Sequence, residues 1–165
     1  MTDNFIQLNK SDTLKLGIKD SDGNPTGEYL EFDLEDIELP LKYQELIEED
    51  KKATRYLRDN LIAIDKKQDV KGKKILSKNQ EDKIRLFNEY YRKEEQILNG
   101  FLGENGVSKL LGGRKLGWTS LDEIGKIIKE QIEPHLNVNM DNITKKVKAK
   151  YGNLTNDGGD TLTNE

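Results

Sequence analysis

Residues 13 to 34, TLKLGIKDSDGNPTGEYLEFDL, alternate apolar and polar side chains on either side of a turn-forming centre. Leu14, Leu16 and Ile18 in the first run, and Leu30, Phe32 and Leu34 in the second, have the period of a half-buried strand. Asp22, Gly23, Asn24, Pro25 and Gly27 lie between the runs and supply the turn. The segment predicts a β-hairpin with one apolar face in need of a partner. Placing Ile18 opposite Leu30 sets Lys15 across from Asp33, which favours that register by a few tenths of a kcal/mol. The remaining patterned segments are helical. The expected fold class is therefore mainly α, an N-terminal β-hairpin followed by a helical bundle-like body.

A chain of 165 residues has room for one modest core. Hydrophobic residues make up 33%, charged residues 35%, and mean hydropathy is −0.84, so part of the chain is expected to stay unpacked. The expected layout is a flexible N-terminal segment at 1–12, a single domain at 13–152 (hairpin 13–34, helical body 40–151) and a disordered tail at 153–165. Cysteine is absent, which excludes disulfides and Cys-based zinc sites and fits a reducing cytoplasm. The opening residues MTDNFIQLNK have no apolar run of signal-peptide length, and no window approaches ~18 uninterrupted apolar residues, so neither secretion nor a membrane is expected. Charge is unevenly spread. Residues 1–50 carry 4 Lys/Arg against 14 Asp/Glu, whereas residues 51–115 carry 17 against 9. Solvated helix faces account for most such patterns, but an acidic front and a basic middle can also join neighbouring copies head to tail.

Beyond the hairpin, Pro40 suits a first helical turn, and Tyr43, Leu46, Ile47, Tyr56, Leu57, Leu61 and Ile64 mark one long amphipathic helix or two abutting ones. KKQDVKGKK at 66–74 reads as a basic linker. Ser77 and Gln80 form a capping box, and Ile84, Phe87, Tyr91, Leu98 and Phe101 are the expected buried stripe of the helix that follows. Six glycines between Gly100 and Gly117 surround a short helical segment, Val107 to Leu111, and imply tight reversals between packed helices. Ser120 and Glu123 suggest a second capping box, with Leu121, Ile124, Ile127, Ile128 and Ile132 on one face and Pro134 as the stop. A weaker helix is expected from Ile143 to Tyr151, closed by Gly152.

No catalytic constellation emerges, so the chain is not expected to be an enzyme and no cofactor is implied. Asp20, Asp22, Asn24 and Glu31 stand at positions 1, 3, 5 and 12 of an EF-hand-like calcium loop. Pro25 replaces the glycine required at position 6 and the flanks are strand-like, so a plain turn is the preferred reading and no metal is expected. His135, the only histidine, has no second ligand or nucleophile near it and suits a surface or capping role. Gly112, Gly113, Arg114 and Lys115 lack the spacing of a phosphate loop. Tyr90, Tyr91 and Arg92 lie among lysines, a pattern that base stacking would use, but Glu89, Glu94 and Glu95 interrupt the positive surface, so nucleic acid is not the expected partner. Trp118, among glycines and next to an apolar helix, is either a core plug or an interface anchor.

The order of hairpin, long helix and glycine-marked helices resembles the tail assembly chaperones of tailed bacteriophages, in particular those of phages and prophages of Gram-positive bacteria. Leu14 to Ile18 and Tyr29 to Leu34 are similar to that family's opening strands. Phe101, Leu102, Gly103, Glu104, Asn105, Gly106 and Val107, followed by Lys109, Leu110, Leu111 and Gly112, resemble its helix ending in a Gly-Glu-Gly-like turn before a short amphipathic segment. Leu121 to Pro134 looks like its final packed helix. The resemblance covers roughly residues 13 to 150. The long turn at 20–27, the insertion Gly113 to Trp118 and Asn105 in place of a common glycine depart from it.

The resemblance implies a non-enzymatic protein of the host bacterial cytoplasm that binds the tape measure protein, keeps it in solution and hands it tail tube protein, with self-association of the chaperone. Trp118, Leu121, Ile124, Ile128 and Ile132 are the residues expected to bind the partner, as a groove for an amphipathic helix. Alternatives are a tail or head-tail connector structural subunit, whose hairpin would pair with a neighbouring sheet, and a nucleic-acid-binding regulator.

Overall fold

A computed structural model describes residues 3–8 and 12–157, and the side chains of 137–140 and 153–157 are outside the description. The fold is mainly α with an N-terminal hairpin, as expected: strands β1 (Thr13–Lys19) and β2 (Pro25–Asp33), then helices α1 (Leu39–Asp65), α2 (Lys78–Leu102), α3 (Gly106–Leu111), α4 (Trp118–Ile127), a π-helical turn (Ile128–Ile132) and α5 (Glu133–Asp157). Residues 3–8 belong to no helix or strand, and Phe5, Ile6 and Leu8 are exposed there.

The hairpin register differs from the expected one by two residues: Leu16 faces Leu30, Leu14 faces Phe32, and Lys15 faces Glu31, with which it forms an ion pair at 3.5 Å. The turn closes earlier than composition suggests. Asp20 Oδ1 accepts the backbone N–H groups of Asp22 and Asn24, and the Asp20 N–H donates to the Asn24 carbonyl, so β2 begins at Pro25. The surplus residues are taken up by a bulge opposite Ile18, where Gly27 has φ +81°. With Asp20 serving the turn and Glu31 paired to Lys15, the calcium-loop reading has no support. Among the described residues no group of three or more His or carboxylate side chains is placed to hold a metal ion.

α1 and α2 form an antiparallel pair whose connection is tied at its tip. Asn79 Nδ2 donates to the carbonyls of Ile64 and Lys67, its N–H donates to Asp69 Oδ1, and Lys78 N–H donates to the Val70 carbonyl. The Asn79 Nδ2 bonds add to the Lys67 N–H already bonded to the Ile64 carbonyl and occupy the Lys67 carbonyl just past the end of α1. The Asp69 carboxylate is held below its usual range, chiefly by the Asn79 N–H. The expected Ser77–Gln80 capping box is present, with both reciprocal bonds made.

Two apolar clusters organise the molecule. The larger joins the inner face of the hairpin (Ile18, Leu30, Phe32, Leu34) to the start of α1, the end of α2, α3 and the helical run from Ile124 to Leu136. The smaller, Ala53, Leu57, Ile64, Leu86 and Tyr90, fills the outer half of the α1–α2 pair. The buried face of α2 is Leu86, Tyr90, Glu94, Leu98, Phe101 and Leu102, which includes Leu98 and Phe101 of the expected stripe but not Ile84, Phe87 or Tyr91. Ile84 is 54% exposed and Phe87 and Tyr91 are half-buried. The departure lies before Leu98, where Leu86, Tyr90 and Glu94 hold the core positions and a stripe drawn through apolar residues alone passes beside Glu94.

At the reversal after α2, Asn105 adopts the left-handed conformation with φ 59°. Asn99 spans the break, its Oδ1 accepting from Val107 N–H at 3.0 Å while its carbonyl accepts from Gly103 N–H. α4 begins two residues before the expected cap. Gly117 precedes the first turn, and Ser120 Oγ bonds back to the Gly117 N–H and carbonyl. Pro134 does not end the helix. The Glu133 N–H bonds to the Ile128 carbonyl five residues back, and this wider turn lets the chain continue through the proline into α5. The helix also passes the expected stop at Gly152 and reaches Asp157; the rest of the expected tail, 158–165, lies outside the described residues.

Candidate functional site

A groove of about 430 Å³ lies between α1, α2 and α4, with the π turn closing one side. α1 contributes Tyr43, Leu46, Ile47, Asp50 and Thr54, and α2 contributes Tyr90, Glu94 and Leu98. The facing wall is built from Trp118, Leu121, Asp122, Gly125, Lys126, Ile128 and Lys129. Spacing explains the α1 and α2 walls. Leu46, Asp50, Ala53 and Leu57 follow the alternating four- and three-residue steps of a helix-pair seam, and Leu86, Tyr90, Glu94 and Leu98 run along the opposing helix. Asp50 and Glu94 thus stand where a seam ordinarily places apolar side chains.

Glu94 is 1% exposed, and its Oε1 has no hydrogen-bond partner among the described residues. Burial pushes its carboxyl up to about 8, with further contributions from the negative charge of Asp50 and a hydrogen bond shared with it. At neutral pH Glu94 therefore holds a proton. Tyr90, its neighbour on α2, lies 3.3 Å from the Thr54 hydroxyl across the seam, and burial raises its phenol as well. Near the start of α1, Tyr43 donates to Glu133 Oε2 at 2.8 Å and tilts against Phe101 at a ring separation of 5.5 Å. Burial, then that hydrogen bond, then the charge of Glu133 push the Tyr43 phenol up to about 12. This bond fastens α1 to the first turn of α5.

The five residues expected to bind a partner are brought to one helical run but not to one surface. Trp118 is 60% exposed at the mouth of the groove and so plugs no core. Leu121 is half-buried on the rim, and Ile128 reaches the wall from within the core. Ile124 and Ile132 lie inside the main cluster and are not among the groove residues; Ile124 borders a separate cavity between the hairpin, α3 and α4, whereas Ile132 is reached only if the core opens. Sequence reasoning missed Tyr43, Asp50, Thr54 and Glu94. The seam spacing was the available signal, since it places both carboxylates at inward positions.

His135 is exposed on α5, and the Arg114 guanidinium donates to the Leu111 carbonyl behind α3. A second groove, of about 640 Å³ on another side of the helix pair, gathers Lys52, Arg85, Arg92 and Lys93 around Tyr56, with Glu89 among them. No helix among the described residues is long and apolar enough to cross a membrane. Compared with models of protein families, with curated proteins and with solved structures, the chain matches none of them.

Proposed function

We propose that this chain is a phage tail assembly chaperone, a non-enzymatic protein of the bacterial cytoplasm that holds an amphipathic helix of the tape measure protein and promotes assembly of the tail tube protein around it. One observation carries the reading: a large aromatic side chain, Trp118, stands exposed at the mouth of an apolar groove bounded by Leu46, Ile47 and Leu121. An exposed aromatic beside apolar walls is the usual anchor of helix-in-groove binding. The hairpin and the glycine-marked reversal, through which the sequence resembles that family, are consistent with it. The test is coexpression with the tape measure protein. Trp118→Ala should leave thermal stability within about 0.5 kcal/mol of the parent, as for other exposed sites, while sharply reducing the tape measure protein recovered in the soluble fraction. Unchanged recovery with Trp118→Ala and with Leu121→Lys would place client binding elsewhere.

The structural-subunit reading has one observation in its favour: the sheet has only two strands among the described residues, so each strand has an outer edge with no strand beside it. Rings or tubes of defined size in solution would favour it over the chaperone.

A further inference from the structure

We infer that the cavity over Glu94 is a receptor for the side chain of a lysine carried on the apolar face of a partner helix. The inference rests on the proposed groove insofar as the partner arrives as a helix, and it names what that helix must carry.

The first ground is an enclosed acceptor without a donor. Glu94 Oε1 is buried and unpartnered while its side chain lines the cavity. Buried carboxyl oxygens are ordinarily satisfied, and one that is not marks a place for a missing donor. The second ground is charge. Asp50 stands beside Glu94 from the opposite helix, so the floor brings together two carboxyl groups that share one hydrogen bond. An ammonium group supplies both a donor for Oε1 of the protonated Glu94 and a positive charge beside the negative charge of Asp50. Its three donors rotate freely, which suits acceptors arriving from different helices better than the flat fork of a guanidinium.

The third ground is the lining between floor and mouth. Leu46, Leu98, Leu121 and Ile128 present apolar surface along the path, as the methylene stem of a lysine requires. Trp118 at the mouth adds an aromatic face to receive a cation in passing. The chain's own cations at the mouth are Lys126, which pairs with Asp122 at 3.3 Å, and Lys129; Asp122 is the remaining acid on that wall.

The experiment uses the whole chain and two synthetic amphipathic helical peptides free of tryptophan. One carries a single lysine at the centre of its apolar face, and its twin carries norleucine there. Trp118 is the only tryptophan and reports binding by fluorescence. The lysine peptide should bind about tenfold more tightly than its twin, and Glu94→Met, which removes the acceptor, should abolish that preference with helical circular dichroism unchanged. Should Glu94→Met fail to fold, Asp50→Asn, at a half-buried position, should reduce the preference. Equal binding of the two peptides, tighter binding of the norleucine peptide, binding of neither, or a lysine preference that survives in the folded variant overturns the inference. Equal binding would leave the apolar groove itself standing, whereas loss of the proposed function would be read separately from the coexpression assay.

Discussion

At the scale of single residues, Glu94 ties stability to pH in the direction opposite to an ordinary ion-paired carboxylate. Its carboxyl ionises near 4.5 in the unfolded chain and near 8 in the folded one. Below about 4.5 both states hold the proton and its contribution is fully present. As pH rises toward 8 only the unfolded chain releases the proton, so stability is lost across that window by an amount on the order of a few kcal/mol. Urea titrations near pH 5 and near pH 9 should show a larger fall for the parent than for Glu94→Gln; equal falls would mean the carboxyl is solvated. Gly106 is constrained by space, because a Cβ there would meet the Leu102 Cβ at 2.6 Å. Gly106→Ala should therefore cost ~1–3 kcal/mol in the same titration. Asn105→Gly, one residue earlier, should be neutral or stabilising by up to ~1 kcal/mol, since glycine takes the left-handed conformation without strain.

At the scale of elements, the run from α4 through α5 keeps Ile124, Ile128, Ile132 and Leu136 buried although they are spaced four residues apart. In a regular α-helix each four-residue step overshoots a full turn by roughly 40°, so such a row drifts around the cylinder. The π turn winds less per residue and offsets that drift where Ile128 and Ile132 enter the core. Ile132 is 0% exposed, and Ile132→Ala should cost ~3 kcal/mol. Phe87→Ala should cost less than Leu86→Ala, because the phenyl ring is only half-buried. That reverses the ranking the apolar stripe suggests, and the comparison shows what the sequence makes legible. The hairpin, the Ser77–Gln80 box and the reversal at Gly103 to Gly106 were readable because each depends on residues close in the chain. The hairpin register, the phase of α2 and the passage through Pro134 were not. They depend on a side chain spent inside a turn, a carboxyl placed in the core, and a hydrogen bond one residue longer than an α-helix makes. The candidate site was half legible for the same reason: the apolar residues on α4 signalled themselves, whereas the acids opposite them look like surface residues until the seam is known.

At the scale of the whole molecule, stability is divided between a large cluster under the hairpin and a small one along the outer half of the α1–α2 pair. Native-state hydrogen exchange should show the amides of Leu57, Leu61 and Leu86 opening at lower free energy than those of Leu102, Ile128 and Ile132. Asn79→Ala, which removes the bonds to the Ile64 and Lys67 carbonyls, should widen that gap, costing ~1–2 kcal/mol and lowering protection at the tip first. Uniform protection across both clusters would show instead that the pair opens only with the rest of the fold. The tied tip has an electrostatic consequence as well. α1 is 27 residues long, roughly 40 Å at 1.5 Å per residue, and it leads from the acidic hairpin end to the lysine-rich turn at 66–74. The two ends of α1 thus carry opposite excess charge held a near-fixed distance apart. In dilute salt, where the screening length reaches about 30 Å, approaching charged bodies are turned before they touch; at 1 M, where it is about 3 Å, they meet without orientation.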